Sequence, residues 1–332
     1  MPAPAVRDVH IDVLLTNLAL LYEPLLDGFI AEEVCPRLPV LKESDKYPVF
    51  DKGPYFGAGD DVDLDLVADR ASTRRVDFSW STAGYLCEKR ALGFDISDRE
   101  RSNADDQLRL ETNKQRNVLG RLALLRERRV ATLLQDSGQT GGGLAAANTA
   151  SSTVRWDAAT TDYQDVLTDV IAGITLMRQA IGARPNVIVI PAAVAEGIHK
   201  SLFFVNSSGP QVIYTGLPAQ APVYAQYPLL PPTLWGMRVL VAGAVRDSAA
   251  EGGTYTASEV FGEAVRLLYV TAGPALETPS VAYTFEARGR MTKRWRDPDE
   301  SKETDAYEAQ NGVIDERVVA SEAGYTITNC LT

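Results

Sequence analysis

A chain of 332 residues, 45% hydrophobic and 23% charged, has the composition of a folded globular protein with room for two ordinary domains or one elaborated one. Its formal net charge of −11 excludes a protein that reads nucleic-acid sequence through a cationic face. No apolar run has the length of a membrane span, and Cys35, Cys87 and Cys330 fit no metal or redox spacing and read as reduced thiols.

Taken in order, residues 12–30 carry Val13, Leu14, Leu18, Leu21, Tyr22, Leu25, Leu26 and Phe29 at the spacing of a short amphipathic helix, limited by Pro24. Ile30 to Val40 reads as an extended arm, because Pro36 and Pro39 push their predecessors out of the helical region. Tyr47 to Gly84 reads as a long two-stranded excursion: an acidic limb with Asp60, Asp61, Asp63 and Asp65, then the basic Arg70, Arg74 and Arg75, then an alternating strand from Val76 to Ser81. Asp61, Asp63 and Asp65 have the spacing that opens a calcium loop, but Leu66 stands where such a loop needs glycine and no Glu occupies the twelfth place, so an exposed acidic strand is the reading. A free hairpin of this kind is marginal in water and needs another surface to lie on.

Tyr85 to Ile96 is extended and leads into the longest element, a helix over 97–136. Ser97-Asp98-Arg99-Glu100 is a capping box, good helix formers follow without proline, and Asp136-Ser137-Gly138 is the stop. A helix of that span is about 55–60 Å long, more than one compact domain can bury. Gly120 near its middle marks either a close approach or a tolerated helical glycine. Residues 138–152 read as a Gly/Ala/Ser/Thr linker. Thr161 to Gln164 caps a second helix, with Tyr163, Val166, Leu167, Val170, Ile171, Ile174, Met177 and Ile181 as its apolar face. Pro185 to Pro191 is a short buried strand, and a helix follows to about Phe204.

Residues 206–235 read as a long irregular insertion. Strands are expected at Trp235–Gly243, within Glu259–Val270 and along Ser280–Trp295, then an acidic-basic loop from Arg296 to Asp305. A closing hairpin is expected from Val313–Val319, a turn at 321–324 and Tyr325–Asn329. His10 and His199 stand alone, so no His-based triad or metal site assembles, and Gly141 to Gly143 lacks the Lys-Ser/Thr of a phosphate loop. Neither a catalytic residue, a cofactor nor a metal is expected.

The order of these parts, with Leu15-Thr-Asn-Leu-Ala-Leu-Leu-Tyr, Pro185-Asn-Val-Ile-Val-Ile-Pro, Pro279-Ser-Val-Ala-Tyr-Thr-Phe, Arg294-Trp-Arg-Asp and Ala323-Gly-Tyr-Thr-Ile-Thr-Asn, resembles tailed-bacteriophage major capsid proteins of the Hong Kong 97-like fold. The resemblance covers nearly the whole chain. It implies an α+β fold with an N-terminal arm (1–47), an extended β-hairpin loop (48–84), a peripheral domain (85–190 and 279–332) containing the spine helix (97–136), and an axial domain (191–278). It implies a structural subunit assembling with itself into hexamers and pentamers of an icosahedral shell. That shell would enclose double-stranded DNA without sequence readout, in a virion capsid assembled in the host cytoplasm. Separate scaffolding, portal and decoration proteins are the implied partners, and no membrane is involved.

Two family features are missing from the pattern: a long coiled-coil scaffolding segment before the arm, and a matched motif for a Lys–Asn cross-link, for which only Lys52 and Asn311 offer themselves. Subunit contacts are expected from Asp61, Asp63, Asp65, Arg70, Arg74, Arg75, Trp295 and Arg296. The rival readings are an encapsulin-like nanocompartment shell holding an enzyme cargo, which shares the fold, and a carboxylate-dependent hydrolase, for which Glu32-Glu33 and Asp105-Asp106 are the available acidic pairs.

Overall fold

The structure, a computed structural model, describes residues 10–11, 15–16, 28–49, 65–73, 75, 81–103, 107–135, 143–158, 161, 163–200, 230–273, 280–296 and 304–331. The arm contributes β1 (His10–Ile11), a single helical turn α1 (Ala31–Val34), β2 (Arg37–Pro39) and β3 (Ser44–Val49). β4 (Ser81–Leu86) and β5 (Glu88–Ser97) lead to α2 (Asp98–Asn103) and the long α3 (Gln107–Gln135). Then come β6 (Thr149–Ser151), α4 (Tyr163–Ile181), β7 (Val187–Pro191), α5 (Ala192–Lys200), β8 (Thr233–Leu234), β9 (Met237–Ala242), β10 (Val245–Asp247), β11 (Ala257–Glu259) and β12 (Val265–Leu268). The chain closes with β13 (Ala282–Arg288), β14 (Met291–Arg296), β15 (Thr304–Val318) and β16 (Gly324–Thr328).

Two six-stranded sheets organise these elements. In the first, β13 and β14 both run antiparallel to β15, with a register shift between Glu286 and Arg288, so they form one long bent strand of a hairpin. β5 covers the other side of β15 from Ser97 opposite Thr304 to Glu88 opposite Ile314. The arm lies along the outer edge of the bent strand: β1 pairs with β14 and β2 runs parallel to β13. Between them the Thr16 hydroxyl donates to the Thr292 carbonyl and accepts from its N–H, at 3.3 and 3.1 Å. The second sheet has the order β6-β16-β12-β7-β9-β8, with the wholly buried β7 near its centre.

α3 joins the two sheets. Its middle places Leu119 and Leu122 on Ala309 of β15, while Val130, Ala131, Leu133 and Leu134 enter the main core with Val166, Val170 and Met177 of α4 and the strands of the second sheet. One backbone bond stitches the sheets where they meet, from Val281 N–H to Tyr269 at 2.8 Å; Val319 N–H to Val281 extends the first sheet and Tyr269 N–H to Ala323 the second, both at 2.9 Å.

Several expectations change against this frame. The residues expected as a helix over 97–136 appear as α2 and α3, with 104–106 outside the described residues; α3 runs through Gly120 uninterrupted. Ser97 Oγ accepts the Glu100 N–H at 3.1 Å, but the Glu100 carboxylate goes to Lys114 instead of closing the box. The closing hairpin is not one: β15 ends the first sheet and β16 enters the second, because Tyr325 and Ile327 find their apolar partners there. β15 also begins nine residues before Val313; strands on both sides pair its backbone, and Asp305 and Asn311 meet the guanidinium groups of Arg101, Arg294 and Arg37. The expected linker contains β6, a strand of the second sheet. Trp235 and Gly236 form the two-residue turn between β8 and β9, both at positive φ (51° and 81°), as such a hairpin requires. In the arm, residues 31–34 coil rather than extend, because Glu127 supplies the acceptor that the first N–H groups of that turn need. Ile171, expected on the buried face of α4, is half exposed (50%). Most of the helix expected over 12–30, the strand from Val76 to Trp80 and most of the 206–235 insertion lie outside the described residues.

Candidate assembly surfaces

The extended excursion has an ordered base. β3 and β4 pair antiparallel from Ser44 opposite Leu86 to Val49 opposite Ser81, and Tyr47 and Tyr85 pack their rings on Phe285 of β13 at 5.1 and 4.5 Å. Beyond that base, every described residue of 65–73 is exposed, including Leu66 (74%) and Val67. Asp65, Arg70 and Arg75 make no ion pair among the described residues, and Arg70 stands at a φ of 63° in a turn closed by Ala71 N–H to Ala68. Asp61, Asp63 and Arg74 lie outside the described residues.

Trp295 and Arg296 sit at the far end of the long hairpin, opposite Ala306 and Asp305. Arg296 is held within its own chain, by Asp98 at 2.5 Å and Asp305 at 3.4 Å. Asp305 is the hub here, taking Arg101 at 2.7 Å and Arg294 at 2.8 Å as well. Burial alone would raise its carboxyl, but hydrogen bonds from Arg101 and Arg294 outweigh it and hold the group below the usual range. Tyr307 joins the cluster: its hydroxyl accepts from Arg101 and donates to Glu111, and burial followed by that carboxylate pushes its own ionisation up.

A second polar cluster fixes the arm to α3. Both Glu127 oxygens accept backbone N–H groups, from Ile30 at 2.8 Å and Ala31 at 3.0 Å. Arg126, buried on the same helix, donates to the Cys35 carbonyl and the Thr284 hydroxyl at 3.1 and 3.2 Å and pairs with Glu32. Burial brings its guanidinium down to about 10. Arg37 spans Glu32 at 2.9 Å, Glu286 at 3.3 Å and Asn311 Oδ1 at 3.1 Å, while Arg129 grips Glu316 with two nitrogens. At the arm's elbow Gly28 has a φ of +96°, and a Cβ there would lie 2.4 Å from the Gly243 nitrogen, so only glycine fits.

Sequence reasoning named Trp295 and Arg296 but missed Asp305, Arg101 and Glu127. A signal for Asp305 was available. Arg294 and Arg296 mirror Asp305 across the 297–303 connection, as opposite charges do in a hairpin. Glu127 carried none, since an Arg-Glu-Arg-Arg run on a helix ordinarily reads as a solvated face.

Among the described residues no group of His, Cys, Asp or Glu has metal-ligating geometry, and no helix is long and apolar enough to cross a membrane. The sequence matches a family described as phage capsid protein over residues 85–314. A search of curated proteins returned no match. Among solved structures the chain is similar to a phage-related protein from Bordetella bronchiseptica RB50, at 19% identity and a TM-score of 0.67, covering 96% of this chain and 97% of that one. It is also similar to the mature capsid of bacteriophage PhiM1 (11% identity, TM-score 0.55, 92% and 87% covered) and the capsid of cyanophage P-SCSP1u (11%, 0.56, 92% and 90%).

Proposed function

Because the chain belongs to the phage capsid protein family, with the Hong Kong 97-like fold its sequence resembles, we propose that it is the major head protein that forms hexamers and pentamers of an icosahedral shell around double-stranded DNA. It acts as a building block with no catalytic step. Scaffolding, portal and decoration proteins are its companions in that head, and assembly takes place in the host cytoplasm.

The observation that carries this reading is the excursion beyond β3 and β4, whose described tip residues are exposed and contact no core of their own. Side chains such as Leu66 and Val67 lose their solvent contact when another copy covers them. Ile171 and Leu176 on α4 and Tyr255 beside β11 are further exposed apolar groups that a neighbour would cover. Of the two acidic pairs open to a hydrolase, Glu32-Glu33 is engaged, Glu32 with Arg37 and Arg126 and Glu33 with Arg238 at 2.8 Å, and Asp105-Asp106 lies outside the described residues. In this reading the peripheral unit is built on the first sheet with α3. The axial unit is built on the second sheet with α4 and α5, which draws strands from both sides of the boundaries expected near 190 and 278.

The test is assembly. Concentrated recombinant protein, with scaffold supplied where needed, should give closed shells with five- and six-fold units by sedimentation and electron microscopy. Compact monomers under all those conditions would end the proposal.

A further inference from the structure

The solvent face of α3 is chemically one-sided. Asn113, Arg116, Asn117, Arg121, Arg128 and Thr132 are exposed there. The helix has two acids, and both are withdrawn from that face: Glu111 holds Arg101 and Tyr307, and Glu127 caps the arm. Arg126, Arg129 and Lys114 have carboxylate partners. Arg116, Arg121 and Arg128 have none among the described residues. A chain of net charge −11 thus presents, along its longest helix, a strip of unpaired guanidinium groups with amide and hydroxyl side chains between them.

The strip lacks the marks of a protein interface. Such interfaces have an apolar centre, and among the described residues every large exposed apolar side chain lies elsewhere, on residues such as Leu66, Leu86, Ile171 and Tyr255. Leu124 and Leu125 between Arg121 and Arg128 are only partly exposed, Leu124 being packed on the core, and guanidinium, amide and hydroxyl donors standing out from such a surface are groups that meet phosphate oxygens. From Arg116 to Arg128 the helix advances about 18 Å at 1.5 Å per residue. Over that length a duplex presents about ten phosphate charges.

We propose that this face of α3 lies against the phosphate backbone of duplex DNA. The inference rests on the reading of the chain as a shell around DNA and adds which surface is turned inward. The contact is sequence-independent and weak per subunit, since the surrounding protein is acidic; the shell repeats it in every copy.

The test uses the soluble full-length chain and a fluorescein-labelled duplex of about 30 base pairs, read by anisotropy from low to physiological salt. Each neutralised phosphate contributes about −0.9 to the slope of log affinity against log salt. The wild type should therefore bind weakly at low salt with a slope of at most about −2.7 from three contacts. The triple variant Arg116→Gln/Arg121→Gln/Arg128→Gln should bind at least about ten-fold more weakly and lose most of that slope, while the triple Arg→Lys variant keeps it. Circular dichroism establishes that each variant is folded. Absence of duplex binding by the folded wild type at low salt would overturn the proposal, as would an unchanged slope in the glutamine variant. Unchanged DNA binding with loss of shell formation would assign the strip to a second copy of the chain and overturn it equally. Shell formation by the wild type is read without DNA, so the shell reading stands or falls separately.

Discussion

Asp305 is one carboxylate facing three guanidinium groups, those of Arg101, Arg294 and Arg296. Its side chain is only 9% exposed, so the pairs are screened less than ordinary surface pairs. Asp305→Asn would leave the cations with a neutral acceptor and should destabilise the protomer by about 2–3 kcal/mol in denaturant titrations. Its folded-state pKa is depressed, so the stability it contributes is present above the usual aspartate value of 3.8 and is lost as pH falls through the lower folded value. The acid limb of a stability–pH profile below that value should accordingly be shallower in Asp305→Asn than in the wild type; superimposable limbs would refute the assignment. Glu127 has the opposite sign. Burial raises its pKa despite two backbone N–H donors, so the cost of its charge diminishes as pH falls through the raised value.

The element that Glu127 serves is the arm. α1 is a single turn and cannot hold itself together; its first N–H groups are satisfied from α3, which also sends Arg126 to the Cys35 carbonyl at its end. The arm's fold is thus written largely in another element. Glu127→Gln places an amide NH2 against one of two backbone donors and should cost about 1–3 kcal/mol. The loss should be local: hydrogen exchange should accelerate over residues 30–39 while β7, in the centre of the second sheet, keeps its protection. Equal acceleration in both would show that arm and core open as one unit. α3 itself was legible because helix propensity, the absence of proline and a long apolar return all agree. Its buried Gln115, Arg126 and Glu127 were not, since a polar side chain on a helix says nothing of whether a distant carbonyl or hydroxyl awaits it.

At the scale of the whole molecule, the order of parts was readable and their partition into sheets was not. The alternation in Ser280–Trp295 and the apolar run of β7 announce strands. Whether Tyr325 continues a hairpin with Val313–Val318 or crosses to β12 depends on which core its ring fits, a long-range matter outside any local pattern. Likewise no local pattern marks β15 as a strand before Val313, because Asp305, Gln310 and Asn311 are polar, yet all three are buried. Of the expected contact residues, Arg296 turned out to be occupied within the chain, whereas Arg70 and Arg75 remain available. We propose that the basic limb clamps a neighbour's carboxylates. Each exposed pair contributes only about 0.2–1 kcal/mol, but symmetry repeats it. Arg74→Glu/Arg75→Glu should leave the circular dichroism and monomer elution unchanged while lowering the yield of closed shells. Wild-type yields would make the limb an ordinary solvated loop.

The arm's position along β13 and β14 also decides what kind of edge the first sheet offers. β1, Thr16 and β2 cover that side, so the long edge of β13 and β14 is replaced by two short strands of two and three residues. The second sheet ends in β6 and β8, strands of three and two residues. A long flat edge invites the open-ended strand pairing of cross-β fibres, whereas very short edge strands offer little template for another chain. The arm thereby exchanges one long flat edge for two short interrupted ones, a blunt border that discourages sheet-to-sheet growth between copies.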